Sequence, residues 1–253
     1  GTAMKNLSHL PNFFKPIHHP ELASTNDEAK AMANAGAEAG ILVVADRQTA
    51  GRGRRGRQWD SPVGNLYISI ILKPTGGVKA AAAIGCAASL AVSDALGAYL
   101  GPDKVAHVKW PNDVLVSKAK ISGLLIEATD DPATLVLGVG INLICHPDDT
   151  PYPATSLLAE TGQTVSPESF LGGFADAFLA RYKSWQDCGF APLRVDWLAR
   201  ATGIGEPITV RLENQQFDGL CKDLDKEGAL ILDLGGGVVK KFTAGDVFFP
   251  PNV

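Results

Sequence analysis

The runs ILVVAD (Ile41 to Asp46) and LYISIIL (Leu66 to Leu72) are apolar, β-rich and bounded by glycine and proline, which makes them strands. Between them GRGRRGRQW (Gly51 to Trp59) packs four arginines and three glycines into nine residues. Whatever the fold, it must hang a flexible cationic loop between two apolar strands.

The other elements follow from pattern. Ser24 to Ala35 is alanine-rich and helical, with Thr25 as cap and Glu28 at the capping-box spacing. A long helix is expected from Val78 to about Leu100, stopped by Gly101 and Pro102. Three strand-like runs follow, VAHVKW, ISGLLIEAT and TLVLGVGINL, the first two linked through a polar turn around Ser117 to Ala119. Helical patterns resume at Pro167 to Trp185 and Ala191 to Ala201. After Gly203 the texture changes to short alternating strands, PITVRL, QFDGLCKDL, ALILDL and VVKKFTA, as in a small antiparallel barrel. We place a domain boundary near Gly203 to Glu206, giving units over 1–204 and 205–253. The second has a thin core and is expected to lean on the first.

The chain has 253 residues, 45% hydrophobic and 20% charged, with a net charge of -4. That suits one large domain, or a domain of about 200 residues with a small appendix. The acidic balance argues against generic nucleic-acid or anionic-membrane binding, so the arginine loop is local chemistry. Cys86, Cys145, Cys188 and Cys221 are scattered without a CxxC pair, as expected of reduced thiols in the cytosol. His18 and His19 are adjacent and no Cys/His cluster has metal-ligand spacing, so no metal-ligating set is expected. The leading GTAM reads as a cloning scar, residues 1–3, before a start at Met4. Ala80 to Val92, the longest apolar run, is mostly alanine and looks too short and too weakly hydrophobic to span a bilayer.

Several constellations can carry chemistry. Gly51, Gly53 and Gly56 let the loop approach a ligand closely, while Arg52, Arg54, Arg55 and Arg57 can present paired donors to carboxylate or phosphate oxygens. The same loop can also be a solvated basic turn or an RGG-like nucleic-acid segment. In VKWPND, Pro111 holds Lys109, Trp110, Asn112 and Asp113 at a strand end, although Pro-Asn-Asp is also ordinary turn chemistry. Lys120 opens a strand in which Gly123 implies close approach of a ligand or another backbone, and Gly138 and Gly140 repeat that signal nearby. Alone, Lys120 reads equally as an edge charge. Ser24, Thr25 and Asn26 offer hydroxyl and amide groups to a neutral polar ligand, or serve only as the helix cap.

In order and spacing, STN at Ser24, QTAGRGRRGRQW from Gln48, KWPND at Lys109, KISG at Lys120 and GVGINL at Gly138 closely resemble the biotin protein ligases. ATSL at Ala154 and the C-terminal β unit agree with that family too. The resemblance implies an α+β catalytic domain like that of class II aminoacyl-tRNA synthetases, a mixed sheet with flanking helices, followed by a Src-homology-type barrel. It implies ATP and biotin as substrates and Mg²⁺ as the ion that shares the phosphate charge. The biotin carboxylate would attack the α-phosphate to give biotinyl-5'-AMP and pyrophosphate. A lysine of a biotin carboxyl carrier protein, such as the acetyl-CoA carboxylase subunit, would then take the acyl group. By resemblance the catalytic residues are Lys120, which bridges carboxylate and α-phosphate, the loop arginine Arg54, and Asp113, which orients the incoming amine. Ser24, Thr25 and Gln48 match the partners of the ureido ring, and Asn26, Gly51, Arg52, Gly53, Arg54 and Lys120 complete the biotin set. Gly123, Gly138 and Gly140 match the close-packed pocket floor and Trp59 the wall beside the aliphatic tail. Arg54, Arg57, Lys120, Asn112 and Asn142 match the ATP side.

The resemblance also implies a cytoplasmic enzyme that can dimerise through a sheet edge. Only 23 residues precede Ser24, too few for the winged helix with which some relatives bind DNA, so no DNA contact and no membrane are expected. A mobile loop that orders on ligand would shield a labile adenylate. The nearest rival is a lipoate or octanoyl ligase, which shares the adenylate logic. An RNA-binding module working through the arginine loop is the rival from another class, weakened by the lack of an aromatic platform.

Overall fold

The computed structural model describes residues 7–250, so the expected scar at residues 1–3 lies outside the described residues. The elements run β1 (Lys15–Leu22), α1 (Thr25–Asn34), β2 (Ile41–Gln48), β3 (Leu66–Leu72), α2 (Ala81–Gly97), β4 (Ala106–Lys109), β5 (Asp113–Val116), β6 (Ala119–Ala128) and β7 (Leu135–Ile141). Then come α3 (Leu157–Thr161), α4 (Pro167–Cys188), α5 (Phe190–Arg200), β8 (Pro207–Arg211), β9 (Gln216–Leu224), β10 (Leu230–Gly235), β11 (Val238–Phe242) and β12 (Asp246–Phe248). Two sheets result. One has seven strands in the order β1-β2-β3-β7-β6-β5-β4, and the other five in the order β11-β10-β9-β8-β12. In the first only β1 and β2 are parallel, so the class is α+β with a mixed sheet; the second is antiparallel throughout.

The large sheet separates two environments, and β7 shows how. Leu135, Leu137, Val139 and Ile141 point into the main core. Val136 points the other way, into a small cluster with Ala29 of α1, Val43 and Ile71. Alternation along the strand puts Gly138 and Gly140 on that second face. The main core is filled by α2, an alanine-rich helix buried nearly all round, against which α4 presents Phe170, Phe174, Phe178 and Tyr182. Phe174 and Phe178 stack at 5.8 Å between centroids, and Phe178 meets Tyr182 at 5.5 Å.

With its leading 3-10 turn this helix spans Gly77–Gly97, 21 residues, and by length and composition it is apolar enough to cross a membrane, which corrects the expectation drawn from Ala80 to Val92 alone. Sheet and helices nonetheless cover it, since 72% of its most apolar window is buried inside the protein.

Three strands escape the sequence pattern, the short β12 among them. β1 carries Pro16 and Pro20, which suit an edge strand paired on one side only. β5 holds the four residues DVLV, so the expected single link is two hairpins. The second turns through Ser117 and Lys118, with φ of 52° and 64°. The cap of α1 is Ser24, whose hydroxyl accepts from Asp27 N at 3.2 Å, not Thr25. The small sheet is tied to the large unit by Arg194, which donates to Leu224 O at 2.6 Å and to Asp223, and by Trp110 Nε1, which donates to Gly228 O at 3.2 Å. All four cysteines are free thiols.

Phe174 is fully buried between α2 and α4. Truncation there leaves a cavity the alanine helix cannot refill, so Phe174→Ala is expected to cost about 3–5 kcal/mol, read from urea unfolding. A loss below about 1 kcal/mol would mean that the interface relaxes freely.

Candidate active site

Sheet register assembles the site. Lys109 pairs with Asp113, Asp113 with Gly123, Gly123 with Gly140, and Gly140 with Tyr67. Cross-strand partners share a face, so this row crosses five strands on the side away from α2. A second row, Leu125, Gly138 and Ser69, runs beside it. Over these rows opens a cleft, roofed by α1, the arginine loop and β12.

One end of the cleft is polar but uncharged. Thr25 N donates to Gln48 Oε1 at 2.8 Å, Gln48 Nε2 donates to Ser61 Oγ at 2.9 Å, and Ser69 Oγ donates to Thr25 Oγ1 at 2.7 Å. Because Ser24 takes the cap, the Thr25 hydroxyl is left facing the pocket network. Asn26 Nδ2 donates to Glu127 Oε1 at 2.9 Å and to Leu125 O at 3.2 Å. A methyl on Gly138 would stand 2.2 Å from Asn26 Oδ1, and one on Gly140 would stand 2.6 Å from Trp59 Nε1. The expected close-packed floor is thus a set of seats for Asn26 and Trp59. The indole N–H of Trp59 is buried over Gly140 and has no acceptor among the described residues.

The middle of the cleft is cationic. Lys120 Nζ lies 3.0 Å from Asp113 Oδ1, 4.9 Å from the Tyr152 ring and 5.3 Å from the Trp59 ring. Lys109 sits 5.5 Å from the Phe249 ring and 6.0 Å from that of Phe248. Burial pushes its ammonium below the usual lysine range; Asp113 opposes that shift and Lys120 adds to it. The lining carries Arg52, Arg54, Arg57, Lys109 and Lys120 against Asp113 and Asp246, five cations to two carboxylates. Among the described residues no cluster of three or more His, Cys, Asp or Glu side chains could hold a metal ion.

The arginine loop is folded as a hairpin. Gly53 N donates to Arg57 O at 2.7 Å and Trp59 N to Gly51 O at 2.9 Å. Its four arginines all find carboxylates. Arg52 Nη2 reaches Asp27 Oδ1 at 2.6 Å and Glu127 Oε1 at 2.8 Å. Arg54 and Arg57 reach opposite oxygens of Asp246 at 2.6 Å, and Arg55 joins them at 3.2 Å. Burial works against the charges of Glu127 and Asp246, but Arg52, the Asn26 amide and Lys30 outweigh it at Glu127 and the loop guanidiniums outweigh it at Asp246, so both carboxyls are held below the usual range.

Residues 20–142 match the model of the Biotin/lipoate A/B protein ligase family, and residues 203–249 match the biotin protein ligase C terminal domain. A biotin--[acetyl-CoA-carboxylase] ligase of Paracoccus denitrificans is 42% identical over 235 residues, 89% of this chain and 97% of that one. The chain belongs to the biotin protein ligase family. A biotin--[acetyl-CoA-carboxylase] ligase of Mycobacterium tuberculosis is 34% identical, covering 90% of this chain and 86% of its own. The biotin protein ligase of Aquifex aeolicus, solved in complex with biotin and ATP, superposes with a TM-score of 0.80 at 27% identity over 92% of this chain and 97% of that one.

Of the residues that the family motifs single out, the cleft gathers Ser24, Thr25, Asn26, Gln48, Arg52, Gly53, Arg54, Arg57, Trp59, Asp113, Lys120, Gly123, Gly138 and Gly140. Gly51 lies behind the loop, where a methyl would strike Ser61 Oγ and Trp59 O at 2.5 Å. Asn142 donates to Thr155 O at 3.1 Å and borders an adjoining cleft that shares Lys120, Trp59 and Tyr152. Asn112 is not brought to either cleft; its Oδ1 stands 2.6 Å from where a methyl on Gly85 of α2 would be. Sequence reasoning missed Ser69, Glu127, Tyr152 and Asp246. Only Ser69 left a signal, as the lone small polar residue facing this side inside LYISIIL.

The lowered pKa of Glu127 sets a pH window. Its stabilisation is complete above the ordinary glutamate pKa of about 4.3 and fades as pH falls through the lower folded value. The gap in urea midpoint between wild type and Glu127→Gln should be constant from about pH 7 to 6 and shrink below about pH 4. A gap unchanged at about pH 3 would overturn the assignment of the ion pair.

Proposed function

We propose that this chain is an ATP-dependent biotin protein ligase that forms biotinyl-5'-AMP and passes the biotinyl group to a lysine of a biotin carboxyl carrier protein. The observation that carries this reading is Lys120 in the cleft between a neutral polar end and a cationic loop. A carboxylate and a polyphosphate repel by about 4 kcal/mol per charge pair at 4 Å and an effective dielectric of about 20. The cationic surplus of the lining offsets that repulsion where the two meet.

In this scheme the ureido ring lies against Ser24, Thr25, Asn26 and Gln48, and Trp59 walls the aliphatic tail. Lys120 sits between the biotin carboxylate and the α-phosphate, with Arg54, Arg57 and Lys109 on the phosphate side. A carboxylate oxygen bonds to the α-phosphorus as the bond to pyrophosphate breaks. The neutral amine of the carrier lysine then adds to the acyl carbon and expels AMP, and Asp113 orients that amine. The adenine side is assigned to the adjoining cleft with Asn142, and Asn112 reaches it only if its side chain leaves α2. Both pocket carboxylates are engaged by cations, so the protein's side chains do not themselves make a Mg²⁺ site; Mg²⁺ comes with the nucleotide oxygens and shares their charge.

The division into a catalytic unit over 1–204 and a C-terminal unit over 205–253 follows the break between the two sheets. A cytoplasmic location is supported by the free thiols and by the burial of the apolar α2. The arginines contact carboxylates rather than standing free, which disfavours the nucleic-acid reading of the loop.

Pyrophosphate release from ATP, measured with biotin, with lipoate and with neither, tests the reading. Biotin-dependent release is expected, reduced roughly 10²- to 10³-fold in Lys120→Ala with the circular dichroism unchanged. Release with lipoate alone would move the chain to the lipoate branch. In Gly138→Ala the new methyl displaces Asn26, so the KM for biotin should rise about tenfold or more while that for ATP holds; equal KM values in wild type and variant would separate Asn26 from biotin binding.

A further inference from the structure

Asp246 is the first residue of β12 in the small sheet, and its side chain is only 6% exposed. A carboxylate so placed needs partners, because an unpaired buried charge costs several kcal/mol. Among the described residues, its ion pairs all come from the arginine loop of the large unit, through Arg54, Arg55 and Arg57. Neighbouring backbone takes part as well: Arg54 Nη1 donates to Gly245 O at 3.0 Å, and Arg55 Nη1 to Arg211 O at 3.4 Å. The start of β12 and the end of β8 thus form a receptor for the loop. The loop's other side is tied to the large sheet by Arg52 on Glu127 and Asp27.

We infer that Asp246 is a positioning residue: braced by Arg55 outside the cleft, it holds Arg54 and Arg57 as a preformed receptor for the nucleotide phosphates and fastens the loop across the cleft. The inference rests on the ligase reading above. Without a shared anion, guanidiniums this close would repel and splay the loop. One carboxylate cancels a single charge of the three, so the trio keeps a surplus of two, and it meets the cleft through Arg54 and Arg57. Each guanidinium has five donors, and Asp246 takes one from each, which leaves donors for phosphate oxygens. The opposite possibility is a stand-in anion that ATP must expel. Expulsion would strand a nearly buried carboxylate without cations, whereas sharing the arginines leaves it satisfied.

The full-length chain with Asp246→Asn, Asp246→Glu and Arg55→Gln decides between them. Arg55 touches Asp246 but does not line the cleft, so Arg55→Gln loosens the anchor without altering the pocket and serves if Asp246→Asn fails to fold. Three readouts are taken: KM for ATP and kcat in biotin-dependent pyrophosphate release, the Kd for biotin by calorimetry, and the rate of tryptic cleavage within residues 52–57. Asp246→Asn should raise the KM for ATP roughly tenfold, equivalent to about 1.4 kcal/mol, change kcat by less than about threefold and speed loop cleavage. The Kd for biotin should not move, Asp246→Glu should recover most of the loss, and Arg55→Gln should shift the ATP KM and the cleavage in the same direction by less. A lower KM for ATP in Asp246→Asn would establish the stand-in anion and overturn the inference. Unchanged KM and unchanged cleavage would overturn it too. If the wild type shows no biotin-dependent release, the ligase reading fails by itself, and loop cleavage still decides whether Asp246 fastens the loop.

Discussion

One strand, β7, has to satisfy two neighbours that want opposite things. On one side α2 and α4 demand bulky apolar side chains, and Leu135, Leu137, Val139 and Ile141 supply them. On the other, Asn26 and Trp59 need the space that Gly138 and Gly140 leave empty. Both demands are met only because the pleat has a period of two, and a slip of one residue would bury glycines in the core and thrust leucines into the cleft. The register of β3 and β6 against β7, and of β5 against β6, carries the same logic across the sheet, so the pocket and the core are two faces of a single pairing pattern.

The cleft's electrostatics depend on carboxylates as much as on cations. Five cationic side chains in one lining would repel one another strongly if left alone. Asp113 sits against Lys120, Glu127 against Arg52, and Asp246 against the remaining loop arginines. Each acid fixes the position of a base and cancels only part of the local charge. The loop therefore combines glycine hinges with a defined folded shape.

Most of the residues that line the cleft were legible in the sequence because they sit in short contiguous motifs. Asp113, Lys120 and Gly123 lie close along the chain, Gly138 and Gly140 repeat with strand periodicity, and Trp59 closes the arginine-loop motif. What escaped was nonlocal. Glu127 looks like an ordinary strand-end acid, and it becomes a loop anchor only because β6 places it across from α1. Asp246 lies 192 residues from Arg54, in a stretch whose pattern suggests only a turn. β1 was hidden by its prolines, and the side chain of Asn112 lies toward Gly85 of α2 because a turn residue can point to either side of the sheet it leaves.

The same nonlocality gives the small sheet a reason to exist. Its own core is thin, resting on residues such as Val210, Leu224, Leu232 and Phe242, and a free-standing sheet of this size would be marginal. Docked on the large unit, it contributes at the edge of the cleft what the seven-stranded sheet lacks: an acid for the loop arginines, and the rings of Phe248 and Phe249 beside Lys109. Those rings desolvate Lys109 while Asp246 orders the loop, so the docking that completes the small core also shapes the charged half of the cleft. Stability of the C-terminal unit and organisation of the site are consequently one energetic problem, because the interface that buries Asp246 is the interface that closes the loop.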